Sequence, residues 1–346
     1  MKTNSPRHFL SATMCIFAAA TFAGCASNRA AKPAEKETEL VDALDQAKPT
    51  TVLDPANSAV RRGNSLRAQG LLDDALKEFE KAIETNPTLT VAFMGAGDIY
   101  RQKGDYVGAE KQYGTAAELE PQNFDAQYLH GLTLQLLNRA ADAVRAYLRA
   151  LAVKPDDFNA NLNVATAYLQ LGEPSQAITF AERAVRINSQ SAPGRTNLGA
   201  VYNAMGRYED AVVEYQQAAE LAPLTAPLLL NLADALGKSG RTAEMVNTLE
   251  QLTKTAPSAN AYERLGSGFF KLRRYEDSLA TFRRAIEIDA NHYPAINGIA
   301  VCKLNEFLWS EEKNEEARQE ALRMLRRSLQ LERRQPKIIE LLGRYN

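Results

Sequence analysis

Residues 104–121 read GDYVGAEKQYGTAAELEP, and residues 206–223 read GRYEDAVVEYQQAAELAP. The second stretch begins 102 residues after the first, which is three times 34. Both stretches place glycine, alanine, an aromatic residue, a second alanine and proline at the same intervals. Recurrence at a fixed period of this size indicates a chain built from stacked copies of one small structural unit.

The same residue types recur through most of the chain when each unit is numbered 1 to 34 from Ala56. Position 20 is alanine in five successive units, at Ala75, Ala109, Ala143, Ala177 and Ala211. Position 24 is aromatic in four units, at Phe79, Tyr113, Tyr147 and Tyr215. Position 32 is proline in five units, at Pro87, Pro121, Pro155, Pro223 and Pro257. Six units keep this register without a gap, and a seventh begins one residue early.

Each unit has the pattern of two antiparallel helices, named A and B here. Apolar residues recur at helical spacing in both halves of the unit. Small residues at positions 8, 20 and 27 let the two helices approach closely, and the aromatic ring at position 24 fills the space beside them. Glycine at position 15, such as Gly104, suits the turn between the helices, and proline at position 32 ends helix B. The pattern therefore predicts an all-α chain of stacked helix pairs.

These residues resemble the tetratricopeptide repeat (TPR) family. The resemblance implies an all-α TPR solenoid, a right-handed superhelix of about eight antiparallel helix pairs whose A helices line a concave face. It places units 1–7 at residues 56–290 and a degenerate eighth unit at residues 291–335, with an insertion of about nine residues relative to the other units. Residues 336–346 are expected to form a capping helix, because the open end of a repeat stack would expose apolar surface.

The N-terminal residues predict export from the cytoplasm. A short basic segment precedes an apolar run that ends near Phe22 and is too short to cross a bilayer as a helix. Residues 22–25 read FAGC, which resembles the lipobox of bacterial lipoproteins, with Phe22 where leucine is usual. The resemblance implies a signal peptide at residues 1–24 and acylation of Cys25. An ordinary cleaved secretory signal is the alternative.

Residues 25–55 contain few large apolar side chains and are rich in alanine, lysine, glutamate, proline and threonine. That composition predicts a flexible tether that begins at the lipidated Cys25. Ala26, rather than aspartate, follows the cysteine, and in Gram-negative lipoproteins this implies sorting to the periplasmic face of the outer membrane. The expected location is therefore the bacterial outer membrane, with the repeats facing the periplasm and the membrane as one partner.

Three asparagines share position 6 in consecutive units, namely Asn163, Asn197 and Asn231. Stacking of the units would align them as a ladder on the concave face. An amide side chain offers both a donor and an acceptor, which matches the backbone of an extended peptide whatever its sequence. Similar ladders hold peptides in the TPR domain of O-linked N-acetylglucosamine transferase, although asparagine is also common at this position in TPRs generally. We therefore expect these asparagines to bind a protein or extended peptide.

The insertion in the eighth unit contains Trp309, the only tryptophan of the chain, together with Phe307 and Leu308. An aromatic cluster is more often part of a core than a contact site, so these three residues are expected to pack on a lengthened helix. Trp309 is retained as a possible secondary contact with a partner.

Charge and composition exclude several function classes. The net charge of −1 argues against nucleic acid as the main partner, since phosphate binding requires clustered excess cations. The three cysteines and three histidines fit no metal-ligand spacing, so neither a metal nor a cofactor is expected. The repeats fill nearly all of the predicted mature chain, and no nucleophile motif or phosphate-binding loop is recognised, which argues against an enzyme.

The sequence thus predicts a non-enzymatic, lipid-anchored scaffold that assists assembly of an envelope complex, such as a secretin, a pilus or cell-wall enzyme machinery. A self-associating structural component is the alternative. It rests on unit six, where Met245, Leu249 and Leu252 replace the usual small and aromatic residues, because an exposed apolar strip there would favour self-association. An accessory subunit of an enzyme is a more remote alternative.

Overall fold

The structure is a computed structural model that describes residues 54–346. The predicted signal peptide, Cys25 and nearly all of the predicted tether lie outside the described residues. From residue 54 to residue 346 the chain forms 17 helices and no strand. None of these helices is both long enough and apolar enough to cross a lipid bilayer.

Sixteen of the helices form eight consecutive A–B pairs. The A helices are α1 (Pro55–Ala68), α3 (Thr90–Gln102), α5 (Phe124–Leu136), α7 (Phe158–Gln170), α9 (Ala192–Ala204), α11 (Ala226–Lys238), α13 (Ala259–Lys271) and α15 (Tyr293–Trp309). The B helices are α2 (Leu72–Thr85), α4 (Tyr106–Leu119), α6 (Ala140–Val153), α8 (Pro174–Ile187), α10 (Tyr208–Leu221), α12 (Thr242–Thr255), α14 (Tyr275–Ile288) and α16 (Glu315–Leu331). The final helix is α17 (Pro336–Tyr345). The predicted all-α solenoid of helix pairs is confirmed.

The turn from helix A to helix B requires a left-handed backbone residue. Five glycines fill this place with φ between 73° and 84°, at Gly70, Gly104, Gly172, Gly206 and Gly240. Asn138 and Arg273 adopt the same region in units three and seven, with φ of 58° and 60°. Glycine reaches this region without steric cost, which explains its recurrence at position 15.

Within a unit, the aromatic ring at position 24 lies against the glycine at position 8. A Cβ atom added to Gly97 would come within 2.7 Å of the Tyr113 ring, and one added to Gly131 would come equally close to Tyr147. Both distances are far below van der Waals contact. Ala143, from position 20 of the same unit as Tyr147, is fully buried beside this crossing. The small residues are therefore required sterically, as the spacing predicted.

Unit six packs its helices with large side chains at positions 20 and 27, where the other units have alanine, and with glycine on the neighbouring helices. Met245, Leu249 and Leu252 are buried, with 7%, 1% and 1% of their surface exposed. Room for Met245 comes from two neighbouring glycines, because a Cβ atom on Gly237 or Gly268 would lie 2.6 or 2.7 Å from the Met245 side chain. The exposed apolar strip considered in the sequence analysis is thus absent from this unit. The alternative of a self-associating component depended on that strip, and unit six does not support it.

The stack curves with its A helices on the inner side. Direct contacts between alternate helices are found for α5 with α7, α7 with α9, α9 with α11 and α13 with α15. All of these helices are A helices, so the A helices lie closer to one another than the B helices do. The A helices consequently line the inner face of the array, as the resemblance implied, and this inner face is called the groove below.

The two helices of the eighth pair are longer than those of the preceding pair. Helices α15 and α16 are each 17 residues long, whereas the preceding A helix α13 has 13 residues and the B helix α14 has 14. The additional residues of this unit therefore lie at the end of α15, in the loop and at the start of α16. Helix α17 then buries Ile338 in a cluster with Leu304 and Leu325 of this last pair.

Enlarging a helix-crossing residue should destabilise the fold. We expect Ala143→Leu to lower the free energy of unfolding by about 1–3 kcal/mol, because the added carbons have no space next to Tyr147. Ala152→Leu is the matched control, since Ala152 lies on the same helix but is exposed. Urea denaturation monitored by circular dichroism measures both changes. An equal effect of the two substitutions would contradict the assigned packing.

Candidate partner-binding groove

The three predicted asparagines occupy equivalent places in the groove. Asn163, Asn197 and Asn231 lie on α7, α9 and α11, and each is half-buried. The three helices are successive A helices, so the residues hold one register position in three consecutive units. Their alignment as a ladder and their role in binding stay predictions.

Two of the amides already connect adjacent A helices. Asn163 Nδ2 donates a hydrogen bond to Tyr128 Oη on α5 at 3.1 Å, and Asn197 Nδ2 donates to Thr166 Oγ1 on α7 at 2.9 Å. The other amide atom of Asn197, Oδ1, is buried and has no hydrogen-bond partner among the described residues. These side chains therefore connect neighbouring A helices and help to fix their spacing.

The packing of the core determines where the row can extend. Position 6 is glycine in units two and eight, at Gly95 and Gly298. A side chain at Gly95 would collide with the Phe79 ring of the preceding unit, and one at Gly298 would collide with the Phe282 ring. A phenylalanine at position 24 thus excludes an asparagine from position 6 of the next unit. The three asparagines lie in units that follow Tyr147, Ala181 and Tyr215 at position 24, none of which is phenylalanine.

A polar cluster at the N-terminal end of the groove centres on Asp98 of α3. Its carboxylate accepts a hydrogen bond from Tyr113 Oη at 2.7 Å and from an Arg67 guanidinium on α1, and Arg101 lies 3.8 Å away. Burial raises the pKa of Tyr113, and the bond to the Asp98 carboxylate raises this pKa further. The cluster joins units one and two across the groove.

The Asp98 cluster was not foreseen in the sequence, although a signal for it exists. Arg67 and Asp98 are 31 residues apart, and the same separation joins Asn203 Nδ2 to Asp234 Oδ2 at 3.0 Å. Both pairs link position 12 of one unit to position 9 of the next. A search for complementary polar residues at this separation, three less than the repeat length, would have found them.

Trp309 lies apart from the row of asparagines. Phe307 is buried as expected, but Leu308 is 42% exposed and Trp309 is 70% exposed. The Trp309 ring meets Tyr275 edge to face at a centroid distance of 5.3 Å, and Tyr275 meets Phe270 in the same way at 5.2 Å. The expectation that the whole cluster packs on the lengthened helix is wrong for Trp309. Its indole remains accessible to a partner.

Models of the tetratricopeptide repeat match several parts of the chain. One model matches residues 128–192 and 230–293, a second matches residues 97–138, and a third matches residues 56–89 and 192–223. Together these ranges cover roughly two thirds of the 346 residues. All of these ranges lie within the series of helix pairs described above.

Among proteins of known sequence, the human protein O-mannosyl-transferase TMTC1 is 36% identical over 90 residues. The match covers 25% of this chain and 10% of that protein, and the mouse protein matches over 9% of its length. The chain therefore spans about a tenth of the length of these relatives.

Two solved structures show the same fold. A tetratricopeptide repeat protein from Parabacteroides merdae aligns with a TM-score of 0.52 and 18% identity, over 72% of this chain and 98% of its own. PilW, described as a widely conserved type IV pilus biogenesis factor, aligns with a TM-score of 0.50 and 20% identity, over 58% of this chain and 94% of its own. Both similarities concern the fold alone.

Removal of the Asp98 carboxylate should weaken the link between units one and two. Asp98→Ala leaves Tyr113 Oη and Arg67 without their acceptor, so we expect a loss of about 1–3 kcal/mol in the free energy of unfolding. Asp156→Ala, in the exposed loop after α6, serves as the control and should change stability by less than about 0.5 kcal/mol. Denaturant titration of both variants makes the comparison. Equal stabilities would show that the cluster contributes nothing.

Proposed function

Since this chain belongs to the tetratricopeptide repeat family, we propose that it is a non-enzymatic scaffold that holds a protein or extended-peptide partner in its groove. The observation that carries the proposal is the inward curvature of the A helices, three of which hold the half-buried amides of Asn163, Asn197 and Asn231 at one register position. A concave surface with aligned donors and acceptors suits a peptide backbone.

The proposal includes a location. We propose that Cys25 is acylated and that the protein is anchored to the periplasmic face of a bacterial outer membrane. The support is the FAGC sequence at residues 22–25 and the basic and apolar residues before it. A scaffold held there would act on envelope complexes, such as a secretin, a pilus or cell-wall enzymes. PilW, a pilus biogenesis factor, has a similar fold at 20% identity.

Photocrosslinking in cells tests the groove as the working surface. A photoreactive amino acid at position 197 points into the groove, and one at position 216, on the exposed side of helix α10, is the control. We expect a discrete protein adduct from position 197 that is missing from position 216. Mass spectrometry of the adduct identifies the partner.

The other outcomes of the crosslinking experiment are equally informative. An adduct of similar yield from both positions would indicate contact without use of the groove and would count against the proposal. Adducts from neither position, combined with an adduct from position 309, would move the binding surface to the exposed Trp309 at the C-terminal end of the array.

Substitution of the predicted acylation site tests the anchor. We expect Cys25→Ser to abolish incorporation of radiolabelled palmitate and to release the protein from the membrane fraction, because the lipidated thiol is the proposed attachment. Cys302→Ser is the control, since Cys302 is buried within the repeats and should not affect labelling. Labelled protein from the Cys25→Ser variant would exclude the lipoprotein assignment.

A further inference from the structure

The polarity of the side chains along the groove differs from one unit to the next. Unit three contributes a stripe of apolar side chains. Leu129, Leu132 and Leu136 occupy positions 6, 9 and 13 of α5, at steps of three and four residues, so they share one face of the helix. Leu136 is 47% exposed, and the other two leucines are half-buried. At position 9 the flanking A helices carry the polar residues Asp98 and Thr166 instead.

Unit seven supplies a basic stripe on the same groove face. Arg264 and Lys271 lie at positions 6 and 13 of α13, two helical turns apart on one side. Arg264 Nε donates to the amide oxygen of Asn260 at 3.1 Å, and neither cation forms an ion pair with a carboxylate among residues 54–346. Arg264 interacts electrostatically with the Asp234 carboxylate on α11, whereas Lys271 has no acidic partner among the described residues.

Two acidic groups lie nearby, and both have other donors. Asp234 on α11 pairs with Lys238 at 2.7 Å and accepts from Asn203 at 3.0 Å. Glu263 on α13 accepts a hydrogen bond from Ser267 Oγ at 3.1 Å. These carboxylates reduce the local excess of positive charge, but Lys271 remains exposed and free to meet an anion.

Between the two stripes lies an amide that is open to a ligand. Asn231 on α11 is half-buried, and its side chain forms no hydrogen bond with the other described residues. An amide offers both a donor and an acceptor, which suits the backbone of an extended peptide.

Resting on the proposed function, we infer that the groove binds an extended peptide that carries a large apolar side chain at one end and acidic side chains at the other. The apolar group contacts the Leu129–Leu132–Leu136 stripe, and the carboxylates meet Arg264 and Lys271. The charge of the partner is argued from complementarity with these cations. The apolar group would remove the exposed leucine surface from water.

The dimensions of the array determine the length of this peptide. Helices α5 and α13 are four units apart, and packed neighbouring helices are about 8–10 Å apart, which gives a path of roughly 30–40 Å. An extended chain rises about 3.3 Å per residue, so the apolar and acidic residues should be about 10–12 residues apart. A helix of the same number of residues would cover less than half of the path, because it rises about 1.5 Å per residue.

Fluorescence anisotropy with designed peptides tests the inference on the purified full-length chain. The probe is a labelled peptide of about 14 residues with two leucines at one end, two glutamates at the other and a polar spacer. Both chain directions are tested. In one of the two directions, we expect the probe to bind about tenfold more tightly than a peptide with serine in place of leucine or a peptide with lysine in place of glutamate. High ionic strength should weaken binding of the probe, because salt screens the contact between opposite charges.

Protein variants locate the two contacts. Leu136→Ser and Lys271→Glu should each weaken binding of the probe about tenfold, the first through lost apolar burial and the second through charge repulsion. Lys271→Glu should at the same time improve binding of the lysine-ended peptide. Leu148→Ser on α6 and Lys111→Glu on α4 are matched controls on exposed B-helix positions and should leave binding unchanged.

Failure of this inference is distinguishable from failure of the proposed function. Equal binding of all peptide compositions, or equal effects of the groove and control variants, would overturn the inferred partner chemistry. Absence of binding by any of the peptides would overturn it as well. In each case a protein adduct specific to position 197 would still support the scaffold function, and its absence would remove that function independently.

Discussion

The contact between an aromatic ring at position 24 and a glycine at position 8 is the constraint on which the rest of the structure depends. At Gly97 and Gly131 no side chain can be added without collision with Tyr113 or Tyr147. The contact sets how closely helices A and B approach, and thereby the position of the next unit. The contact recurs in units one, two, three, five and seven, and since each unit touches mainly its neighbours, this recurrence produces a regular array.

The same contact governs the chemistry of the groove. A phenylalanine ring extends into the next unit and demands glycine at its position 6, as Phe79 does with Gly95. Tyrosine instead directs its hydroxyl group towards polar residues of the inner face, as Tyr113 does with Asp98 and Tyr147 does with Gln135 at 2.9 Å. Core packing and groove polarity are therefore not independent along this chain.

The fold could be predicted almost completely from the sequence, because its determinants are local and periodic. The packing roles of Ala143 and Tyr147 can be predicted from their spacing alone, since alanine and an aromatic residue recur at these two positions in most units. Two features were harder to predict. Burial of Met245 depends on Gly237 and Gly268, which lie on the two A helices on either side of it. Exposure of Trp309 depends on the additional C-terminal turn of α15, for which no other unit provides a reference.

The groove could be predicted in position but not in detail. The row of Asn163, Asn197 and Asn231 follows directly from the 34-residue period. Its hydrogen bonds to Tyr128 and Thr166 do not, because they depend on which way each amide turns between neighbouring helices. The link between Arg67 and Asp98 was missed for a related reason, since it joins two different positions of successive units.

The exchanged packing of unit six has a consequence for the evolution of the array. Repeats with alanine at position 20 present the same crossing to their neighbours, so duplication or loss of one such unit reproduces an existing interface. Met245 instead requires glycine at residue 237 and at residue 268, on helices before and after it. Gly237 belongs to unit six itself, but Gly268 belongs to unit seven, so unit six can change its place in a lineage only if the unit that follows it also carries this glycine.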